Sequence, residues 1–202
     1  MKSALLLLLL LFCFQIPSKA QSNEQEFLHW FFRVNRKVAD TIYYTNNIDT
    51  TNIKKMKGHF HRDTIYNQAW EISTDDKING LFLKRKEKSN INYQIQKLLN
   101  FKWPDAALPR SKIITPERIS DYVKLEDKSL ALKKIIAWEH KLIDKYNGYY
   151  SFSKPIFIRN DTICIFDYGY GCGSTCGDGS LAVYRKVNGT WQKWILLSAW
   201  IS

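Results

Sequence analysis

The stretch Gly169-Tyr-Gly-Cys-Gly-Ser-Thr-Cys-Gly-Asp-Gly179 decides the expected fold, because it holds five of the nine glycines of this 202-residue chain. Glycine tolerates positive φ but weakens a strand, so we predict an irregular loop here. Cys172 and Cys176 enclose three residues, a separation that a disulfide spans if the loop turns back on itself. We therefore predict a Cys172–Cys176 disulfide, which shapes the loop more than it stabilises the fold because so small a ring removes little chain entropy.

Two β-hairpins are predicted, one on each side of this loop. Residues 156–158 and 162–166 are rich in β-branched and aromatic side chains and are separated by three polar residues. Residues 180–186 and 190–197 flank Asn188-Gly189, a dipeptide suited to a type I′ turn because both central residues there need positive φ. This part of the chain therefore predicts an antiparallel sheet.

The last strand is apolar on both faces. Strict alternation puts Trp191, Lys193, Ile195 and Leu197 on one face, and Trp194, Leu196 and Trp200 on the other. A strand with two apolar faces is typical of a sheet that is covered on both sides. We expect this strand to be covered in that way or to form part of an interface.

The N-terminus has the parts of a secretory signal peptide. Lys2 supplies the positive charge, Leu5–Leu11 begins the apolar run, and Ala20 is a small residue at the end. The apolar run is about ten residues, shorter than the roughly 20 that span a membrane, which disfavours a retained anchor. We expect a signal peptide at residues 1–20, a single secreted or periplasmic domain at 21–202, and no transmembrane segment after cleavage.

The chain is strongly basic, with a formal net charge of +11, or +9 without the two lysines of residues 1–20. This balance favours an acidic partner, either an anionic envelope polymer or an acidic protein, over nucleic acid. Solubility alone also explains lysines that are scattered along the chain.

Three cysteines remain after residue 20, and we predict that Cys164, inside an apolar strand, is buried and free. Its pairing with a loop cysteine is the alternative.

The predicted helices lie before the two hairpins. Ser22 fits an N-cap, and an aromatic and apolar stripe then predicts a helix over residues 23–40; its members are Phe27, Phe31, Val34 and Val38. A second long helix is predicted over residues 128–147. The polar segment 41–57 is expected to be irregular, and the charge run 84–88 to be a solvated loop before a short helix near residues 91–99. The fold class is therefore α+β, with an antiparallel sheet packed against two or more amphipathic helices.

The chemistry-bearing motifs give no complete catalytic or metal site. His59, His61 and Asp63 share one face of an extended segment, but zinc needs further ligands and the lysines nearby repel a cation. The glycine stretch precedes a strand, which disfavours a phosphate loop, and three residues between the cysteines disfavour a thioredoxin-like motif. We predict no metal and no cofactor. Asp167 and Asp178 flank the loop and could converge as a hydrolytic pair, although loop acids more commonly accept hydrogen bonds from turn amides.

The C-terminal half resembles a family of uncharacterised secreted bacterial proteins over roughly residues 108–202. The matching segments are Leu108-Pro-Arg-Ser-Lys112, Tyr170-Gly-Cys-Gly-Ser-Thr-Cys-Gly-Asp-Gly179, Val187-Asn-Gly-Thr-Trp191 and the ending Trp200-Ile-Ser202. The resemblance implies an exported bacterial protein with a structural cysteine loop. It carries no activity, ligand or catalytic residue.

The expected function is a secreted, non-catalytic binding domain that uses the surface of the glycine-cysteine loop. Exposed tyrosines on a shaped backbone suit recognition, so we predict contact residues at Tyr168, Tyr170, Ser174 and Asp178. The alternative is a cell-envelope hydrolase whose acids come together only in the fold. A thiol-active protein with a reactive Cys172 or Cys176 is the third hypothesis.

Overall fold

The computed structural model describes residues 22–38, 40–68, 80–114, 129, 133, 136–137, 148–173 and 176–202. The helices are α1 (Asn23–His29), which continues as a π-helix (Trp30–Asn35), α2 (Thr50–His59) and α3 (Arg85–Leu98). The strands are β1 (Ile42–Thr45), β2 (Thr64–Ile65), β3 (Leu81–Phe82), β4 (Ser111–Ile114), β5 (Tyr149–Phe152), β6 (Ile156–Ile158), β7 (Ile163–Gly173), β8 (Cys176–Val187) and β9 (Thr190–Ile201).

The fold is α+β, which confirms the predicted class. Seven described strands form one mixed sheet in the order β4-β1-β5-β7-β8-β9, with β6 paired to β7 beside β5. The sheet is antiparallel from β5 to β9, as expected for the C-terminal strands, whereas β4, β1 and β5 are parallel neighbours. β2 and β3 form a separate antiparallel pair.

The sheet has a buried core on each face, so its central strands are apolar on both sides. Side chains that alternate along β7 and β8 point to opposite cores. One core joins α2 and α3 to the sheet through Ile53, Met56, Ile91, Ile95, Ile163, Ile165, Leu181, Val183 and Ile195. The other packs α1 and the π-helix on the sheet through Phe27, Phe31, Phe32, Cys164, Phe166, Tyr168, Tyr184 and Trp191. These two surfaces are called the α2 face and the α1 face below.

The first helix begins where predicted but ends earlier. The Ser22 side chain accepts a hydrogen bond from the Gln25 N–H at 3.3 Å, as an N-cap does. The helix then widens into the π-helix, whose longer turn replaces the 3.6-residue repeat. The prediction that Val34 faces the core is therefore wrong: Val34 is 57% exposed and Phe32 is buried in its place.

Two segments that were expected to be irregular are regular. Residues 41–57 contain β1 and most of α2, whose N-cap Asp49 accepts from the Thr51 N–H at 2.8 Å. The charge run 84–88 is the first turn of α3, where Glu87 accepts from the Lys84 N–H at 2.8 Å. Both polar segments begin helices with local caps, and these helices bury apolar residues at helical spacing, Ile53 and Met56 in α2 and Ile91, Ile95 and Leu98 in α3. The helix predicted over residues 128–147 lies outside the described residues except for residues 129, 133 and 136–137.

The glycine-cysteine stretch is a strand pair, so the prediction of an irregular loop is wrong for most of it. β7 and β8 remain paired to Gly171–Gly177, and after one register shift to Gly173–Cys176. The predicted turns on either side are present. Asn188 and Gly189 have φ of 49° and 79°, and all three residues from Arg159 to Asp161 have positive φ.

β9 does not alternate strictly, because two register shifts interrupt its pairing with β8. The shifts place Trp191 and Leu196 on the α1 face, and Ile195 and Leu197 on the α2 face. The predicted face of each side chain is therefore wrong in part, although both faces of β9 are buried as expected. Beyond the second shift, Trp200 pairs with Gly179.

The outer side of β9 is hydrogen-bonded near its middle. The Leu196 N–H donates to the Asn67 side-chain oxygen at 3.0 Å, and the Gln68 N–H donates to the Leu196 carbonyl at 2.8 Å. Residues 67 and 68 thus lie beside the last strand of the sheet. Within the described residues, no helix has both the length and the apolar character needed to cross a bilayer.

Candidate functional site

The disulfide closes the end of the β7–β8 hairpin. Cys172 and Cys176 are bonded, with their Cα atoms 5.1 Å apart, and Cys164 is a buried free cysteine. The predicted pairing is confirmed, and the alternative pairing of Cys164 is wrong. Burial raises the pKa of the Cys164 thiol well above its ordinary value, so this group stays neutral. Cys164 is therefore part of the packed core.

On the α1 face, the hairpin is tied to the π-helix by an ion pair. Arg36 donates two hydrogen bonds to the Asp178 carboxylate, at 2.9 and 2.7 Å, and a third to the Tyr168 hydroxyl at 3.2 Å. The Tyr168 hydroxyl donates to Asp178 at 2.6 Å. The guanidinium carbon also lies 5.0 Å from the centre of the Tyr168 ring. These three side chains, called the Arg36 tie, satisfy one another.

The ionisation of the Arg36 tie follows from its contacts. Partial burial disfavours the charged form of Asp178, but hydrogen bonds from Arg36 and Tyr168 outweigh it and lower the pKa of that carboxyl. Burial, reinforced by the hydrogen bond to Asp178, raises the pKa of Tyr168 to about 12. At neutral pH the tie therefore consists of a guanidinium, a carboxylate and a neutral phenol.

The three predicted contact residues that the structure describes do not form one open surface. Tyr168 is buried at 8% exposure, and Asp178 is occupied by Arg36. Tyr170 is half-buried, with its ring centre 4.7 Å from that of Tyr150. Ser174 lies outside the described residues. The Tyr168 and Asp178 side chains thus link the β7–β8 hairpin to Arg36 at the end of the π-helix.

The opposite, α2 face of the same hairpin is a smooth floor of glycine backbone. Its members are Gly169, Gly171, Gly177 and Gly179, which pair across β7 and β8. None of these four has a positive φ, so their conformation does not require glycine. Space requires glycine at two of them: a Cβ on Gly177 would lie 2.7 Å from the Tyr170 carbonyl oxygen, and one on Gly179 would lie 2.7 Å from the Tyr168 carbonyl oxygen and 2.6 Å from Cε2 of Trp200. We call these four residues the glycine floor.

Trp200 lies across the glycine floor. A Cβ on Gly177 would be 3.1 Å from Cζ3 of the indole, and one on Gly169 would be 3.3 Å from Cζ2. Different parts of the ring therefore rest on different glycines. Trp200 is nevertheless 44% exposed. An indole with backbone on one side and this much free surface is a rigid, flat contact area for a ligand.

Further groups border the glycine floor, among them Ser202, whose Oγ lies 3.2 Å from the position of a Cβ on Gly177. The half-buried Tyr149 side chain lies over Gly171, where its Cζ would be 3.7 Å from an added Cβ. Ser151 pairs with Gly169, and its Oγ lies 3.2 Å from the position of a Cβ there. An aromatic ring and a hydroxyl therefore adjoin the indole.

Asp167 is two residues before Gly169 on β7 and shares its face of the sheet. It is 8% exposed, and burial raises its pKa to about 7, against a hydrogen bond from Asn52 and the charge of Lys55. Asp49 contributes to the rise as a like charge. Pairing puts Asp167 opposite Leu181 and Asp178 opposite Tyr170, on different faces. The two acids proposed as a pair therefore do not meet, and the acid beside Asp167 is Asp49.

The histidines do not form the extended pair considered from the sequence. His59 is the last residue of α2, and the His61 ring hydrogen-bonds the Gly58 carbonyl oxygen. Burial, with the nearby charge of Arg62, lowers the pKa of His59. Among the described residues, no three histidine, cysteine, aspartate or glutamate side chains cluster as metal ligands.

The sequence did not predict three contacts: that of Arg36 with Asp178, that of Trp200 with the glycine floor, and that of Asn52 with Asp167. Arg36 is 142 residues from Asp178, and no local pattern signals that contact. Trp200 could have been found, because glycines repeated at every second residue leave one face of a strand without side chains. A neighbouring aromatic ring is the usual occupant of such space.

No family model, curated protein or solved structure matches this chain.

Proposed function

We propose that this protein is an exported, non-catalytic binding domain whose ligand stacks on Trp200 at the glycine floor. The observation that carries the proposal is the 44% exposure of an indole that rests on glycine backbone. A ring held in this way loses little conformational freedom when it binds, so its apolar surface contributes efficiently to affinity. The proposal moves the binding surface from Tyr168 and Asp178 to the opposite face of the same hairpin.

Export is supported by three features. The N-terminal sequence fits a signal peptide, the disulfide is typical of an oxidising compartment, and the resemblance is to secreted proteins. Residues 21–202 carry a net charge of +9, the +11 of the whole chain less two lysines, and this charge favours an acidic partner. We infer that the ligand is an anionic envelope polymer, which would contact Trp200 with its apolar surface and the lysines and arginines of the protein with its charge.

The test is co-sedimentation of the oxidised protein, residues 21–202, with purified peptidoglycan sacculi that retain their anionic polymers. We expect Trp200→Ala to weaken binding about tenfold or more, and Trp200→Phe to weaken it less because a ring remains. Binding should also fall as salt rises. Ile201→Ala is the matched control: Ile201 is 89% exposed but pairs with Asp178, on the other face. Equal loss in both alanine variants, or none in either, would refute the proposal.

A cell-envelope hydrolase is the second candidate, and the environment of Asp167 favours it. A buried carboxyl with a pKa near 7 can donate a proton at neutral pH, and Asp49 supplies a second acid on the same face. The test is release of soluble fragments from the same sacculi by wild type and by Asp167→Asn. Release that requires Asp167 would establish this candidate. If the protein binds sacculi through Trp200 but releases no soluble fragments, the binding-domain proposal stands and the hydrolase is rejected.

A further inference from the structure

A cavity of about 430 Å³ lies between α3 and the segment that joins β5 to β6. It is separate from the glycine floor, and its volume is within the range of small-molecule sites. Asn90, Tyr93, Gln94 and Lys97 line one wall from a single side of α3, at spacings of three and four residues. Lys154 lines the opposite wall. The buried side chains of Leu98 and Ile156 contribute apolar surface between them.

The charged groups of this cavity are positive. The Lys97 ammonium lies 4.4 Å from the centre of the Tyr93 ring, and the Lys154 ammonium lies 5.4 Å from the centre of the Phe101 ring. Lys154 also pairs with Glu24, Nζ to Oε2, at 3.0 Å. No acid among the described residues forms an ion pair with Lys97, and none lines the cavity. Lys97 therefore offers an unneutralised charge beside apolar walls.

We propose that this cavity binds a small organic anion with a carboxylate at one end and an apolar body. The carboxylate would accept hydrogen bonds from Lys97 and from the side-chain amides of Asn90 and Gln94, which supply donors at the same wall. The apolar body would rest on Phe101 and on the ring of Tyr93, which is 59% exposed, with the buried Leu98 and Ile156 beneath them. Charge complementarity selects an anion over a cation, and the aromatic walls select an amphipathic anion over an inorganic one.

The experiment titrates three carboxylates, 4-phenylbutyrate, octanoate and indole-3-acetate, into the ¹⁵N-labelled oxidised protein. We expect saturable shifts of backbone amides in residues 90–98 and 154–156 with at least one of them. The neutral amide of each compound should bind about tenfold more weakly or worse, because it lacks the charge that Lys97 meets. Inorganic phosphate should leave these amides unchanged. Shifts from phosphate of the same size, or equal binding of acid and amide, would overturn the proposal.

Two variants separate this site from general attraction to a basic protein. Lys97→Gln should weaken carboxylate binding about fivefold or more, whereas Lys86→Gln should change it less than about twofold. Lys86 is exposed on the same helix and does not line the cavity. Equal weakening in the two variants, or the absence of localised shifts with all three carboxylates, would also refute the site. Neither result depends on whether Trp200 binds an envelope polymer.

Discussion

At the scale of single residues, burial of Asp167 lowers the stability of the fold, and the sequence alone does not reveal this effect. Asp167 is flanked on β7 by Phe166 and Tyr168 and lies in a strand that the sequence correctly predicts in part. Its burial under α2 follows from which face of the sheet the helix covers, and the α2 segment was itself predicted to be irregular. The sequence places Asp167 just after a predicted strand, but it could not predict the raised pKa, because that pKa comes from burial under α2 and from the like charge of Asp49, which is more than 100 residues away.

We predict that Asp167→Asn stabilises the protein at pH 8 and not in acid. The folded-state pKa of about 7 is above the ordinary value of 3.8, so the folded protein binds a proton that the unfolded chain has lost. Wild-type stability should therefore decrease as pH rises from about 4 to about 7. The neutral amide avoids this cost and should raise the unfolding free energy at pH 8 by roughly 2 to 4 kcal/mol.

Urea denaturation of both proteins at pH 4.5 and pH 8 measures this effect. The stability gain should be much smaller at pH 4.5, where the wild-type carboxyl is protonated in the folded state. A variant that is less stable than wild type at pH 8 would contradict the assigned environment. A natural residue that lowers stability in this way is typical of functional sites, which is a further reason to assay this variant for lost activity.

At the scale of elements, the hairpins were predictable and the glycine stretch was not. Local turn chemistry at Asn188-Gly189 determines its hairpin, so one short motif was sufficient. The glycine stretch predicts a loop because glycine often occurs where the backbone needs a positive φ. Here its cause is a side chain from another strand, Trp200, which occupies the space of the missing Cβ atoms.

We predict opposite effects for two glycine-to-alanine changes. Gly179→Ala should lower the unfolding free energy by roughly 1 to 3 kcal/mol, because the new methyl group collides with the indole and with a backbone oxygen. Gly58→Ala should raise it by about 0.5 to 1 kcal/mol, since this helical position in α2 has nothing within 4 Å of an added Cβ. Thermal unfolding of the two variants under one condition provides the comparison. Equal effects would show that the glycine floor is not closely packed.

At the scale of the whole molecule, the Arg36 tie joins the N-terminal helical segment to the C-terminal sheet. The ion pair is partly buried, with side-chain exposures of 24% and 31%, and it has fork geometry. The α+β class was predictable because apolar strands and an aromatic helix must bury their faces together. The parallel position of β1 between β4 and β5 was not, because a four-residue strand gives no sequence signal for its partners.

We predict that a double-mutant cycle of Arg36→Ala and Asp178→Asn gives a coupling of about 1 to 2 kcal/mol in unfolding free energy. Arg36→Lys should not restore it, because lysine lacks the planar fork. The lowered pKa of Asp178 means that this stability is present above the ordinary carboxyl pKa and is lost as pH falls through the lowered value.

The Lys88–Asp63 pair is the internal control for this cycle. Its Nζ and Oδ1 atoms are 2.6 Å apart, but the aspartate side chain is 75% exposed. We expect a coupling below about 0.5 kcal/mol for this pair, because solvent screens exposed charges. Couplings of the same size in both cycles, measured by urea denaturation at pH 7, would mean that the Arg36 tie has no special role.

The contacts of Asn67 and Gln68 with Leu196 have a consequence for self-association. A twelve-residue terminal strand with unpaired amides is a template on which another copy of the chain can add its own strand, the first step toward aggregates or exchanged dimers. Residues 67 and 68 occupy the donor and the acceptor of Leu196, in the middle of that template. These two contacts interrupt the edge at its middle, so a copy of the chain would find no long continuous edge to extend.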